Sequence, residues 1–143
     1  MSSNAWWAYG SEFQIDTTKV GEIIDINGPS MSHDAIDTTA TDGSSGDGYR
    51  TFLPGWRDAG EVSITANWVP VLATQAGTSG LLSKFEDIDT VQAFKIKTAD
   101  DGSSGTVTIS FNGIVTDFSV SMPMEEQAQL ECTIKISGEA SFV

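Results

Sequence analysis

His33 and Cys132 are the only imidazole and the only thiol in the 143-residue sequence, and they set a low ceiling on its chemistry. Nucleophilic catalysis of the Ser/His/Asp or Cys/His kind needs a base beside the nucleophile and an acid to orient that base. His33 stands in Ser32-His33-Asp34, on a turn into an acidic stretch, where a solvated or cap-bonded imidazole is the plain expectation. Cys132 falls in phase with Leu130, Ile134 and Ile136 and reads as a small buried hydrophobe. Zinc wants several His or Cys ligands, and one of each is too few. The tract Asp42–Gly48, DGSSGDG, offers oxygen donors at Asp42, Ser44 and Asp47, yet an EF-hand loop closes on a bidentate acid twelve positions along, where Leu53 stands. There is no Gly-Lys phosphate cradle and no dinucleotide fingerprint. These residues predict no enzyme, no metal and no cofactor.

Tyr49–Asp58, YRTFLPGWRD, points to recognition instead. A loop that only connects is usually small and polar, whereas this one carries Tyr49, Phe52 and Trp56 with Arg50 and Arg57 and ends on Asp58. Two readings are open. Phe52, Leu53 and Trp56 can fold back over an open end of the core with the arginines lying along them. Alternatively the rings and guanidinium groups form a subunit contact, since Trp, Tyr and Arg dominate interface energies and Arg pairs bidentately with carboxylates on a neighbouring copy. Trp6 and Trp7 belong to an N-terminal arm, residues 1–12, with no clear period, and are candidates for the same work.

The elements that must hold these groups are mostly strands. In Glu61–Val69 the residues Val62, Ile64, Ala66 and Trp68 alternate with Glu61, Ser63, Thr65 and Asn67, the period of a half-buried antiparallel strand. Strands are also predicted near Phe13–Ile15, at Val20–Ile26 up to the Asn27-Gly28-Pro29 turn, at Ala35–Thr39 and at Val91–Thr98. DGSSG recurs at Asp101–Gly105 as a hairpin loop leading into Thr106–Phe111. Val107 to Val115 alternate in one phase and Phe118, Val120 and Met122 in the other, so a slip near Thr116-Asp117 predicts a bulge that lets one long strand serve two sheets. Gln129–Ile136 is the cleanest strand. Only residues 78–88 change period: Leu81, Leu82, Phe85 and Ile88 share a helical face, with Thr78 or Ser79 as N-cap, giving a helix of about three turns. The expected fold is mainly β, two packed antiparallel sheets as a sandwich or partly closed barrel, with one flanking helix, in a single domain spanning 1–143.

A chain this long buries about 70% of its unfolded surface and needs no disulfide or metal staple. No stretch approaches the ~18 apolar residues of a membrane span, and the N-terminus has neither a basic cluster nor a signal-like apolar run, so no membrane insertion and synthesis in a cytoplasm are expected. Seven basic against twenty acidic residues leave −13. Nucleic-acid affinity comes from cations that displace condensed counterions, so such a chain repels DNA. Solubility alone would explain that charge, and so would a conduit that DNA must traverse without sticking.

Two blocks carry a family resemblance. The first runs from Met31 to Trp68 and contains the Gly/Ser/Asp tract followed by GYRTFLPGWRDAGEVSITANW; the second is FNGIVTDFSVSMPMEEQAQLECTIKISGEASF at Phe111–Phe142. Both resemble the tail tube (major tail) proteins of lambda-like long-tailed phages, in order and in spacing. The resemblance implies a structural virion protein, made in the host cytoplasm and placed in the tail. Its six-subunit rings would stack into a hollow tube for genome ejection, with two packed sheets and a flanking helix per subunit. It implies that partners are other copies of the chain and further tail proteins such as the tip or initiator, the tape measure and the terminator, with DNA passing unbound. Under it, residues 39–58 become the long loop reaching the adjacent ring, and Asp25, Asp37 and Glu131 become candidate acids facing the lumen. The sequence stops at Val143 without the immunoglobulin-like domain of some relatives, so tube decoration is not expected. The alternatives are a β-sandwich module binding a carbohydrate or receptor through Trp6, Trp7, Tyr49 and Trp56, and another tail part such as a terminator or completion protein.

Overall fold

The structure, a computed structural model, describes residues 9–16, 18–40, 42, 48–69, 71–75, 77, 80–99 and 106–142. Trp6, Trp7, most of the DGSSGDG tract, Thr78, Ser79 and the second DGSSG copy lie outside the described residues.

The described chain runs β1 (Glu12–Ile15), β2 (Thr18–Lys19), β3 (Ile23–Asn27), β4 (Ser32–Asp37), β5 (Phe52–Asp58), β6 (Glu61–Asn67), α1 (Leu81–Glu86), β7 (Gln92–Lys97), β8 (Thr108–Ser121) and β9 (Gln129–Phe142). Seven strands form one antiparallel sheet in the order β2-β1-β7-β8-β9-β6-β3, and β4 pairs only with β5. In a flat sheet the six gaps between the β2 and β3 margins would hold them about 29 Å apart. Yet only Val20–Glu22 separate those strands in the chain, a span of roughly 14 Å at most. The sheet must roll. It does so into a half-barrel in which β1 comes into contact with β3.

The inside of the roll is the core. Val62, Ile64 and Ala66 of β6, Leu130, Cys132 and Ile134 of β9, and Phe13, Phe94 and Phe111 of β1, β7 and β8 all point into it. Phe94 lies between Phe13 and Phe111, with ring centroids at 5.8 and 5.9 Å. The slip expected in β8 is present as a register shift between Val115 and Asp117. It does not hand the strand to a second sheet, since both halves of β8 stay paired to β9; it bends the pair and helps the roll. The second sheet is the β4–β5 hairpin.

Beyond β4, which is Ser32–Asp37 rather than Ala35–Thr39, and β9, which runs on to Phe142, three elements differ from the sequence reading. Val20–Ile26 is not one strand, because Glu22 takes a left-handed φ of 65° and turns the chain between the two sheet margins; Val20 and Ile26 still face the core, whereas Ile24 is exposed. The helix is six residues long, not three turns, and its N-cap position is Gly80, with no side-chain cap bond. Its C-terminal limit is chemical. Asp87 Oδ1 accepts from the Asp89 and Thr90 N–H groups at 3.0 and 3.3 Å, and Oδ2 accepts from Thr90 Oγ1 at 2.8 Å and Gln92 Nε2 at 2.6 Å, a turn that competes with helix and leaves Ile88 exposed. Leu81 is the helical residue that reaches the core. Lastly, Phe52–Asp58 is a strand, although Pro54 and Gly55 break its alternation. Pro is tolerated there because β5 is an edge strand with a single partner.

Gln75 carries no signal in the sequence, yet it is fully buried. Its Oε1 accepts from Val69 N–H at 2.8 Å, while Nε2 donates to the carbonyls of Asn67 at 2.8 Å and Gly21 at 3.3 Å. It thereby ties the segment before α1 to the end of β6 and to the turn after β2. Gln75→Leu keeps the bulk but strands these groups, so it is expected to cost about 2–3 kcal/mol, measured as a lower urea midpoint at unchanged m-value.

Candidate assembly surface

The β4–β5 hairpin buries almost nothing within its own chain. All six residues of β4 and all but Gly55 of β5 are exposed. Ile36, Phe52 and Leu53 are each more than half exposed, Tyr49 is 78% exposed and Trp56 is 90% exposed. The rings therefore do not fold back over the core. Backbone pairing from Ser32↔Asp58 to Asp37↔Phe52 gives the hairpin its shape. At its far end Thr38 N–H donates to Thr51 O at 2.9 Å and Thr51 N–H to Thr39 Oγ1 at 2.8 Å, a latch just before the loop.

The two arginines differ. Arg50 Nη1 reaches Asp37 Oδ2 at 3.3 Å across the same hairpin, so it is already engaged within the chain. Arg57, next to Trp56, has no carboxylate partner among the described residues. It lies on a groove of about 580 Å³ between the hairpin base and the end of β9, lined among others by Met31, His33, Trp56, Ile136 and Glu139. His33 is an exposed strand residue opposite Arg57, not a turn residue.

At the hairpin base Asp58 is bound twice. Gly60 N–H donates to Oδ1 at 2.8 Å, and Lys135 Nζ of β9 donates to both carboxylate oxygens at 3.0 Å. Gly60 itself has φ 81°, and a Cβ there would collide with the Ser30 carbonyl, so this turn requires glycine. The Gly60 N–H first, and Lys135 second, hold the Asp58 carboxyl below its ordinary 3.8. A carboxyl with a lowered folded value contributes stability that is complete above the unfolded value and is lost as pH falls through the folded one. Asp58→Asn is accordingly expected to melt below the parent at pH 7. The two melting temperatures should converge as pH drops below 3.8. Nothing in the sequence singled out Lys135, because its partner Asp58 is distant along the chain.

The three candidate lumen acids separate. Asp25 pairs with Thr65, Thr65 with Glu131 and Glu131 with Ser119, so Asp25 and Glu131 stand on one row of the polar, outer face of the sheet. Asp37 is on the hairpin, where the Thr39 backbone N–H holds its carboxyl down. The outer face is mixed in sign, because Lys95 and Lys97 of β7 share it with Glu12 of β1. Its acidic part is the β3-β6-β9 side.

A model of the lambda phage tail tube protein family matches residues 7–143. The chain belongs to that family. Its fold recurs in solved tail assemblies. A sheath/tube terminator of an extracellular contractile injection system is 14% identical with a TM-score of 0.77, covering 100% of this chain and 99% of that one. A chain of the native gene transfer agent virion is 17% identical with a TM-score of 0.73, covering 97% and 99%. A chain from the tail of an empty gene transfer agent particle, refined with C6 symmetry, is 16% identical with a TM-score of 0.67, covering 92% and 94%. At such identities the likeness is one of fold. No curated protein sequence matches the chain. Tail tube family membership makes this a structural protein of the virion tail.

Proposed function

We propose that this tail tube family member assembles into six-subunit rings that stack into a hollow tube, and that DNA passes through the tube during ejection. The observation that carries the proposal is the hairpin. A lone two-stranded hairpin is marginal in water, and this one leaves Trp56, Phe52, Leu53 and Ile36 each more than half exposed. Tyr49, Arg50, Phe52, Trp56, Arg57 and Asp58 then act at the contact between rings. The hexamer is supported by the C6 symmetry of the gene transfer agent tail whose chain shares the fold. The polar face of the β3-β6-β9 side, with Asp25 and Glu131 on one row, lines the conduit and repels phosphate.

A second reading, a tube terminator, is favoured by the 0.77 TM-score to a terminator over nearly both full lengths. Negative-stain imaging of the concentrated protein separates the two. Stacked rings of indefinite length support the tube; single rings that never elongate support the terminator; monomers at every concentration refute both.

A further inference from the structure

The turn joining β8 to β9 stands at one end of the long strand β9, and the hairpin base meets that strand at its middle, where Lys135 Nζ donates to Asp58 and Ile136 N–H to the Gly60 carbonyl. Gln129 adjoins the turn, and Ile136, Gly138, Glu139 and Ala140 line the groove beside Arg57. Seven to eleven residues of strand put them roughly 25–35 Å apart. The turn, Met122-Pro123-Met124-Glu125-Glu126, is apolar and then acidic; Met124 is fully exposed, Met122 is 71% exposed, and both glutamates are exposed. The groove is the complement, with an exposed indole, a guanidinium without a carboxylate partner among the described residues, and the apolar side chains of Met31 and Ile136 on its lining. Of the acids on the groove wall, Asp58 is taken by Lys135, which leaves Glu139 as the opposing charge.

We propose that the β8–β9 turn of one copy docks in the Trp56–Arg57 groove of the copy stacked on it, Met124 against the indole and Glu125 or Glu126 on Arg57. This rests on the tube reading and names the contact that propagates it. Complementary surfaces held seven or more residues apart along one paired strand cannot meet within one chain. They meet head to tail between copies, and a heterologous contact that does not close extends without limit. Methionine suits the role because its unbranched thioether adapts to an aromatic face.

The test is charge exchange. Arg57→Glu alone, and Glu125→Lys with Glu126→Lys alone, are each expected to raise the protein concentration needed for tube growth at least about tenfold, the effect of breaking one close charge pair. All three substitutions in one chain should return it to within about threefold of the parent. In the chain carrying Trp56→Cys and Met124→Cys, oxidation of assembled tubes should give a ladder of covalently linked chains. The native thiol stays out of this, since burial pushes Cys132 up to about 12. If the parent forms tubes and the one-sided variants form them at the parental concentration, or the triple variant is no better than either, the docking is wrong while the tube stands. If only removal of residues 1–8 stops growth, the groove holds the arm of a neighbour and the docking is again wrong. If the parent never forms tubes, the functional reading fails first and the docking goes with it.

Discussion

Phe94→Ala is expected to cost about 3–5 kcal/mol, the range for emptying a buried aromatic site, and to lower the melting temperature by roughly 10–15 °C in a domain of this size. The reason is position. Phe94 has no accessible surface and sits on β7, whose neighbours β1 and β8 supply Phe13 and Phe111 to either side of its ring. Register fixes the arrangement, because Phe94 pairs with Ile15 on one flank and Phe111 on the other. The rolled sheet cannot collapse to refill the hole without losing that register on both sides, so little of the cavity cost is recovered. Against a total of about 5–15 kcal/mol for a domain, such a loss leaves some variants unfolded at working temperature. Phe52→Ala removes the same ring from the hairpin, where it is 53% exposed; its expected cost is under about 1 kcal/mol. Calorimetry on the two variants gives the comparison, and equal losses would mean that the core does not lie inside the roll.

What could be read from the residues follows from how local each signal was. The alternation of Val62, Ile64 and Ala66, the phase of Leu130, Cys132 and Ile134, and the slip before Asp117 are all written in neighbouring side chains, and each appears where expected. Features set by distant partners were not visible. Nothing near Glu22 says that it must turn left-handed so that one connection can join two sheet margins. The helical face at Leu81, Leu82, Phe85 and Ile88 is only partly realised: Leu81 is buried, Phe85 is exposed within the helix, and Asp87 binds four donors from the residues after it and stops the helix before Ile88. Gln75 looked like any loop glutamine until β6 and the Gly21 turn closed over it. The candidate surface was legible in composition and not in shape. Its aromatics and arginines marked the segment as unusual, and the rings are exposed, while Pro54 and Gly55 concealed that the segment is a strand. Arg50 and Arg57 looked alike in sequence, and only pairing across the hairpin showed that Asp37 engages one and leaves the other.

That inequality shapes the second large effect, on assembly rather than folding. Trp56→Ala is expected to leave melting within the scatter of surface substitutions, about 0.5 kcal/mol, because the indole is 90% exposed. In the proposed tube the same ring is covered. A covered tryptophan at the centre of a contact is worth about 2 kcal/mol or more, and each 2 kcal/mol lost per added subunit raises the concentration at which tubes grow about 30-fold. Arg57→Ala should act in the same direction, since its guanidinium has no carboxylate partner among the described residues. Arg50→Ala should do much less. Its exposed pair with Asp37 already satisfies it, and such a pair is worth under about 1 kcal/mol, so a shift below about fivefold is expected. Pelleting thresholds measured beside melting curves separate stability from assembly. A tube threshold for Trp56→Ala within about twofold of the parent would remove the ring from the contact. A threshold raised only together with a lowered melting temperature would mean that the hairpin serves the monomer's fold instead.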